Sequence, residues 1–277
     1  MENLKELVKE KYTLIADQSK EQNEASCCGA TGSCSGVDYT VFSENYDKIA
    51  GYNPEADLGL GCGIPTAFAH IHAGDMVVDL GSGAGNDCFV ARALVGSGGK
   101  VIGVDMTEAM IEKARHNAEE LDYNNVEFRF GDIEKMPITA NTADVIISNC
   151  VLNLVPDKPK AFAEIFRVLK PGGHFSISDV VLNGDLPLPI QKAAEMYAGC
   201  VSGAIPKAQY LQIINDTGFL NVRIDKEKQV TIPDDILLNY LSASELVSFK
   251  NSGVGIYSIN VYAQKPGKEC GPECGCK

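Results

Sequence analysis

The sequence predicts a doubly wound α/β protein with a mostly parallel sheet and a smaller C-terminal α+β region. Three observations predict it. Strand-like and helix-like segments alternate from residue 75 to about residue 180. The strand-like segments are near-continuous apolar runs, as expected where helices cover both faces of a parallel sheet. The first of them runs directly into a Gly-rich turn that opens a helix.

The elements follow in order. Leu4, Leu7, Val8, Leu14 and Ile15 recur at helical spacing among charges, which predicts an amphipathic helix over 1–18. Residues 19–38 are small and polar and read as a loop. Residues 43–52 are expected as a short helix before the Gly-rich loop LGLGCGIP. MVVDLGSGAGND is strand and turn, followed by a helix over 85–95. KVIGVDM is a strand ending on Asp105. A helix covers 107–121, with Thr107 as N-cap and Glu108 in its first turn. VEFRFGD is a strand ending on Asp132, and ADVIISNC is a strand continuing into VLNLV. A helix over 157–169 is closed by KPGG, and GHFSISDVV is the fifth strand.

Beyond Asp185 the alternation pauses. Helices are expected over 188–200, carrying Cys200, over 206–217 and over 234–249. NVRID and GIYSINVYAQ are the last strands, and KPGKECGPECGCK is a Gly/Pro-broken tail. The expected organisation is an N-terminal helix and Cys-bearing segment (1–42), a nucleoside-binding domain (43–185), a helical insert and C-terminal region (186–265) and a Cys-rich tail (266–277).

Composition narrows the function classes. The 277 residues hold 24 Lys plus Arg against 37 Asp plus Glu, a net charge of −13. That balance argues against nucleic acid or an anionic membrane as the main partner. MENLKELVKEK has no apolar run or cleavage site of a signal peptide. The longest uncharged stretch, Leu58 to Gly74, is too rich in Gly, Pro, Thr and His to span a bilayer. The expected location is the cytoplasm, where the ten cysteines are not mainly disulfide staples. Cys27, Cys28 and Cys34 lie near the start and Cys270, Cys274 and Cys276 at the end. Cys62, Cys88, Cys150 and Cys200 stand singly in the body.

The turn Gly81-Ser82-Gly83-Ala84-Gly85 follows a strand and opens a helix, which lets a ligand approach the main chain closely. Taken alone it is equally a tight strand–helix turn. Asp105 ends the next strand, placed to accept from the hydroxyls of a ribose, and Asp132 ends the third. Three such positions on successive strand ends indicate a bound nucleoside. A dinucleotide needs GxGxxG and a pyrophosphate at the helix N-terminus. Here the spacing is GxGxG and Asp87 stands where phosphate charge is unwelcome. Asp79 can meet an amino-acid ammonium, which favours S-adenosylmethionine.

DLGSGAG (79–85), Asp105, Gly131-Asp132-Ile133 and RVLKPGG resemble the class I S-adenosylmethionine methyltransferases over roughly residues 70–180. The resemblance implies a seven-stranded, Rossmann-like sheet. It implies that the glycine turn lies against the amino-acid part of the cofactor, that Asp105 holds the ribose and that Asp132 and Ile133 reach the adenine. The expected cofactor set is Asp79, Gly81, Ser82, Gly83, Gly85, Asp105, Met106, Asp132, Ile133 and Asn149.

Three single cysteines lie near the presumed crevice. Cys150 ends the fourth strand beside Ser148, Asn149 and Asn153, Cys62 sits in the Gly-rich loop, and Cys200 follows in AGCVSGA. Each is otherwise read as a buried structural thiol, the reading kept for Cys88. Small neighbours (Gly61, Gly63, Gly199, Gly203) allow close approach of a compact ligand. Three separate thiols suit a soft, three-coordinate guest, whereas zinc prefers four ligands, often paired as CxxC, which is absent. Trivalent arsenic suits three thiolates, and its lone pair can itself attack a methyl group. A ligand among His70, His72 or His174 is the weaker alternative.

LGLGCGIP, DLGSGAGNDCFVA, GVDMTEAMI, SNCVLNLVPDK, GGHFSISD and AGCVSGA closely resemble the arsenite S-adenosylmethionine methyltransferases, from about Tyr46 to Gly203. The resemblance implies that Cys150 and Cys200 hold arsenic. It implies that Cys62 joins them and exchanges disulfides with an N-terminal cysteine, for which Cys34 fits the layout best and Cys27 and Cys28 compete. The implied partners are arsenite or its thiol conjugate and a reductant of glutathione or thioredoxin type. Two rivals stand beside this reading: a quinone-type C- or O-methyltransferase and a thiol protein that sequesters metalloid without turnover.

Overall fold

The structure is a computed structural model that describes residues 2–18, 23, 44–184, 203–230, 234–238 and 240–267. Among these, seven strands form one sheet in the order β3-β2-β1-β4-β5-β7-β6. The strands are β1 (Met76–Leu80), β2 (Lys100–Asp105), β3 (Val126–Phe130), β4 (Ala143–Asn149), β5 (Leu169–Asn183), β6 (Leu220–Val230) and β7 (Gly255–Gln264). The first five are parallel, and β7 runs antiparallel between β5 and β6. The C-terminal strands thus extend the same sheet rather than making a second one.

The helices are α1 (Glu2–Ala16), α2 (Asn86–Val95), α3 (Glu108–Glu120), α4 (Lys158–Val168), α5 (Lys207–Asp216), α6 (Asp234–Leu237) and α7 (Ala243–Asn251). Both faces of the sheet are covered. Val78, Leu80, Ile102, Ile146 and Phe175 pack with Phe162 and Ile165 of α4 and Tyr210 of α5. Val77, Val101, Val145 and Ile147 point to the other face and pack with Phe89 of α2 and Met110 and Ile111 of α3. Alternate residues go to opposite cores, so the runs are apolar throughout. A third cluster gathers Val8, Cys62, Cys150, Leu154, Leu182, Ala204, Leu237 and Leu246.

Several local expectations need correction. Residues 44–51 form turns, not a helix, and Gly51 takes φ +89°, where a β-carbon would lie 2.4 Å from the Phe89 carbonyl oxygen. Helix α1 buries Val8 and Ala16, whereas Leu7 and Leu14, expected in its apolar stripe, are exposed. Thr107 stands at the N-cap of α3 without a side-chain capping bond. The third strand ends at Phe130, two residues before Asp132, and the fourth ends at Asn149 instead of continuing into VLNLV. KPGG belongs to β5 rather than closing α4. The helix expected over 234–249 is split into α6 and α7, the latter started by a Ser242–Glu245 capping box. The helix expected over 188–200 and residues 268–277 of the tail lie outside the described residues, as do Cys27, Cys28, Cys34 and Cys200. Among the described residues no helix is long and apolar enough to cross a membrane.

Candidate active site

The strand order reverses between β1 and β4, and a cavity opens at the C-terminal ends of β1, β2 and β4. This is the crevice where open α/β sheets bind ligands. Asp79, Gly81, Ser82, Gly83, Asp105, Met106, Asp132, Ile133, Asn149 and Cys150 all line it. Gly85 and Cys62 do not. Gly85, at φ +100°, is the N-cap of α2, and a side chain there would meet the rings of Phe128 and Phe89. Its smallness serves helix–sheet packing.

The glycine turn depends on backbone that only glycine adopts easily. Gly81 has φ +65° and Gly83 φ +52°. A β-carbon on Gly81 would sit 2.4 Å from Cγ2 of Val151, while one on Gly83 would meet nothing within 4 Å. The Gly83 amide donates to Asp105 Oδ2 at 3.0 Å and the Thr107 amide to Oδ1 at 2.8 Å. Both oxygens of Asp105 are thereby aimed by the backbone.

Three buried carboxylates then face one another. Burial pushes the Asp79 carboxyl well above its usual range, and the charge of Asp87 adds to it. Asp79 accepts from the Cys88 thiol at 3.3 Å, so Cys88 is a structural partner. Burial raises Asp87 to about 6 against hydrogen bonds from Asn149 and Tyr46. Burial also raises Asp105, against its backbone donors. An acidic end of this kind repels a pyrophosphate and suits a ligand carrying an ammonium and a sulfonium. Ser82 Oγ and Asn86 Oδ1 line the same wall and are buried without hydrogen-bond partners. Those orphaned atoms, the open space at Gly83 and the acidic end fit S-adenosylmethionine.

The raised carboxyls fix a pH dependence. A carboxyl whose native pKa lies above its unfolded value stabilises the fold at low pH and loses that contribution as pH rises through the native value. Asp87 titrates near 6 and Asp179 near 7, both raised first by burial. The urea midpoint of the ligand-free protein is therefore expected to fall between pH 5 and 7. A midpoint that is flat or rising over that window contradicts the assignment.

The thiols are placed by two turns. Cys150 follows the end of β4 at φ +62°, a strained conformation for a residue with a side chain. Its amide donates to the Ser178 carbonyl at 2.8 Å, and a short 3-10 turn, Leu152–Leu154, follows. Cys62 is held by Asn149: Oδ1 accepts from the Cys62 amide at 2.9 Å and Nδ2 donates to the Gly63 carbonyl at 2.8 Å. A β-carbon on Gly61 would lie 2.8 Å from Asn149 Nδ2, and one on Gly63 would lie 2.5 Å from Ser178 Oγ. These glycines let the loop press on the tips of β4 and β5, and Gly61 also lines the cavity. Asn149 also donates to Tyr46 Oη and Asp87, so its amide joins the thiol loop to the acidic end.

Helix α1 roofs the cavity with Lys5, Val8, Lys11, Tyr12 and Ile15. Lys5 Nζ donates to Asp132 Oδ2 at 2.6 Å and to Glu134 Oε2 at 2.7 Å. Burial alone depresses the Lys5 ammonium, but the two carboxylates outweigh it and raise it. Sequence reasoning missed Lys5, Tyr46 and this roof, because no local pattern signals a contact over more than a hundred residues. His174 stacks on Tyr262 and engages the Ala69 carbonyl, away from the cavity. Among the described residues no group of three or more His, Cys, Asp and Glu could hold a metal ion.

A family profile described as a methyltransferase domain matches residues 71–218. With the fold and the cavity, it defines a class I methyltransferase that uses S-adenosylmethionine. Arsenite methyltransferase of Halobacterium salinarum is 38% identical over 277 residues, 97% of this chain and 68% of that protein. The human protein of that name is 36% identical over 196 residues, covering 65% of this chain and 52% of its own length. The crystal structure of CrArsM, an arsenic (III) S-adenosylmethionine methyltransferase from Chlamydomonas reinhardtii, superposes with a TM-score of 0.64 at 34% identity, over 75% of this chain and 68% of that one. The chain belongs to the arsenite methyltransferase family.

Proposed function

We propose that the protein transfers a methyl group from S-adenosylmethionine to trivalent arsenic held by Cys150, Cys200 and Cys62, giving methylated arsenicals and so detoxifying arsenic in the cytoplasm. One observation carries this reading: Cys150, in its strained turn, lines the same cavity wall as Asp79, Gly83 and Asp105. Cys62 packs in the same apolar cluster, together with Ala204, four residues beyond Cys200.

The cofactor supplies an electrophilic methyl on a sulfonium. Asp79 meets its ammonium, Asp105 accepts from its ribose, Asp132 and Ile133 receive the adenine, and the turn at Gly81–Gly83 admits the chain between them. Met106 borders the nucleoside, and α1 excludes water, which strengthens each of these contacts. Arsenite, free or as a thiol conjugate, exchanges onto the cysteines as thiolates. The thiolates hold the arsenic lone pair in line with the methyl; as the arsenic–carbon bond forms, the carbon–sulfur bond breaks and S-adenosylhomocysteine leaves with that electron pair, so most of the rate comes from positioning. No general base is needed, because arsenic carries no proton to remove.

Methylation raises arsenic from the trivalent to the pentavalent state. Two thiols, Cys34 and Cys62, give up two electrons to restore it and become a disulfide. A reductant of glutathione or thioredoxin type then resets them. In this scheme residues 1–42 bring the reducing thiol, 43–185 hold the cofactor, 186–265 complete the arsenic site and 266–277 carry further thiols.

The test is turnover. Reduced protein is mixed with arsenite, S-adenosylmethionine and a small thiol, and arsenic species are separated by chromatography with element-specific detection. Methylated arsenic is expected, and it should vanish in Cys200→Ser. No methylated arsenic from protein that binds S-adenosylmethionine overturns the reading.

A further inference from the structure

Tyr46 and Asn149 stand between the acidic end of the cavity and the loop that carries Cys62. Tyr46 and Asp87 are buried, at 5% and 9% exposure. Tyr46 Oη lies 2.9 Å from Asp87 Oδ1 and 3.0 Å from the Gly63 carbonyl oxygen. Asn149 Nδ2 lies 2.8 Å from that same carbonyl, 3.1 Å from Asp87 Oδ2 and 3.0 Å from Tyr46 Oη. Asn149 Oδ1 accepts from the Cys62 amide at 2.9 Å. The loop is thus gripped at the amide of Cys62 and at the carbonyl of the next residue. From the other direction Ser258 Oγ donates to the Cys62 carbonyl.

The hydrogens of this network are oversubscribed. A side-chain amide offers two and a phenol one, and the phenol hydrogen rotates to suit its surroundings. Tyr46 therefore has a single O–H for two acceptors, the Asp87 carboxylate and the Gly63 carbonyl. A charged oxygen is the stronger acceptor of the two. Asp87 also lies near the charges of Asp79 and Asp57, which increases its demand for a hydrogen. All three carboxylates line the cavity. A cation brought in there supplies positive charge to Asp87 and weakens its hold on the hydroxyl. The hydrogen then turns to Gly63. The O–H of Tyr46 is a two-position element that a ligand biases.

We propose that Tyr46 is a positioning residue that couples the two sites: a cationic ligand at Asp79 and Asp87 releases its hydroxyl to the Gly63 carbonyl and so tightens the loop that carries Cys62. The consequence for methyl transfer rests on the reading of Cys62 as an arsenic ligand. The link itself is read without arsenic. In this scheme the cofactor's ammonium steadies the thiol before the metalloid arrives, and by linkage bound arsenite tightens the cofactor to the same degree.

The test is the rate at which iodoacetamide alkylates Cys62 in the reduced full chain, followed by peptide mass spectrometry. Cys62 is buried and does not line the cavity, so its protection comes through the loop rather than from occlusion. Saturating S-adenosylmethionine is expected to slow the reaction about fivefold, the scale of one hydrogen bond gained. Methylthioadenosine, which keeps the nucleoside and lacks the ammonium, is expected to slow it less than about twofold. Tyr46→Phe keeps the ring stacked on Tyr52 and removes the hydroxyl. Its protection by saturating S-adenosylmethionine is expected to fall below about twofold. Ser258→Ala loosens the same loop from the other direction. It is expected to speed alkylation equally with and without ligand, leaving the fivefold ratio intact on the same scale.

No protection in the unmodified protein overturns the proposal. So does protection that survives in Tyr46→Phe, since a merely structural tyrosine shifts the rate and not the ratio, as Ser258→Ala does. Equal protection by methylthioadenosine also overturns it. Should Tyr46→Phe fail to fold, Asp87→Asn, which cuts the link at its other end, decides by the same ratio at saturating ligand. Arsenite affinity, measured with and without S-adenosylhomocysteine, tests the reading beneath. The product is expected to tighten arsenite by the same factor, an effect absent in Cys62→Ser. If Cys62→Ser binds arsenite as the unmodified protein does while the protection persists, Cys62 leaves the arsenic site and the link through Tyr46 stands.

Discussion

Cys150→Ser is expected to reduce arsenic methylation to about one per cent or less, a loss of roughly 2.7 kcal/mol or more in transition-state stabilisation. Serine keeps the shape of the residue but offers a hard oxygen that stays protonated, and soft trivalent arsenic needs thiolate. The rest of the turn has no reason to move. The residue-150 amide still donates to the Ser178 carbonyl, and Val151 still packs on Gly81. Affinity for S-adenosylmethionine is therefore expected to stay within about twofold by calorimetry. Arsenic speciation after a fixed time reads the first quantity. Full activity in Cys150→Ser would remove the thiol from the mechanism.

Gly81→Ala is expected to cost the cofactor. Alanine at φ +65° is strained by about 1–2 kcal/mol. Its β-carbon would also stand 2.4 and 2.7 Å from the two γ-carbons of Val151, closer than real atoms approach. Val151 must move, and it is bonded to Cys150. The variant should lose both thermal stability and at least about thirtyfold in cofactor affinity, the equivalent of about 2 kcal/mol. Gly83→Ala separates the two causes, since no protein atom lies within 4 Å of its β-carbon. It should retain more stability than Gly81→Ala while binding the cofactor poorly. Equal melting points for the two variants would contradict the packing on Val151.

Much of the fold was legible because its signals are local. Val77 and Val78 go to opposite cores, and that double burial is why MVVDL reads as a strand of a covered parallel sheet. The glycine turn and Asp105 were legible because sharp turns and strand-end acids need particular residue types. The parts missed depend on partners far away in sequence. Residues 44–51 have helix-compatible composition, yet Tyr46 is held by Asp87 and the Gly63 carbonyl. The apolar stripe on α1 was misjudged because the buried face runs through Val8 and Ala16, eight residues apart, which leaves Leu7 and Leu14 turned out of it. Asn149 shows the same limit. It lines the cavity, as its position at a strand mouth suggests, but that its amide also ties a loop 87 residues away to the sheet was not legible. The left-handed residue after β4 is Cys150 itself, neither glycine nor asparagine, so its residue type does not announce the turn.

The roof formed by α1 has a kinetic meaning. S-adenosylmethionine is used up with each methyl delivered, so a fresh molecule must enter for every round. The cavity that holds it is covered by Val8, Tyr12 and Ile15 and latched where Lys5 meets Asp132 and Glu134. Each round thus exchanges one ligand for another beneath a helix whose apolar side chains shield the cavity and whose lysine is tied to two carboxylates. The dryness that favours the reaction and the speed at which the enzyme can repeat it are set against each other by the same fifteen-residue helix.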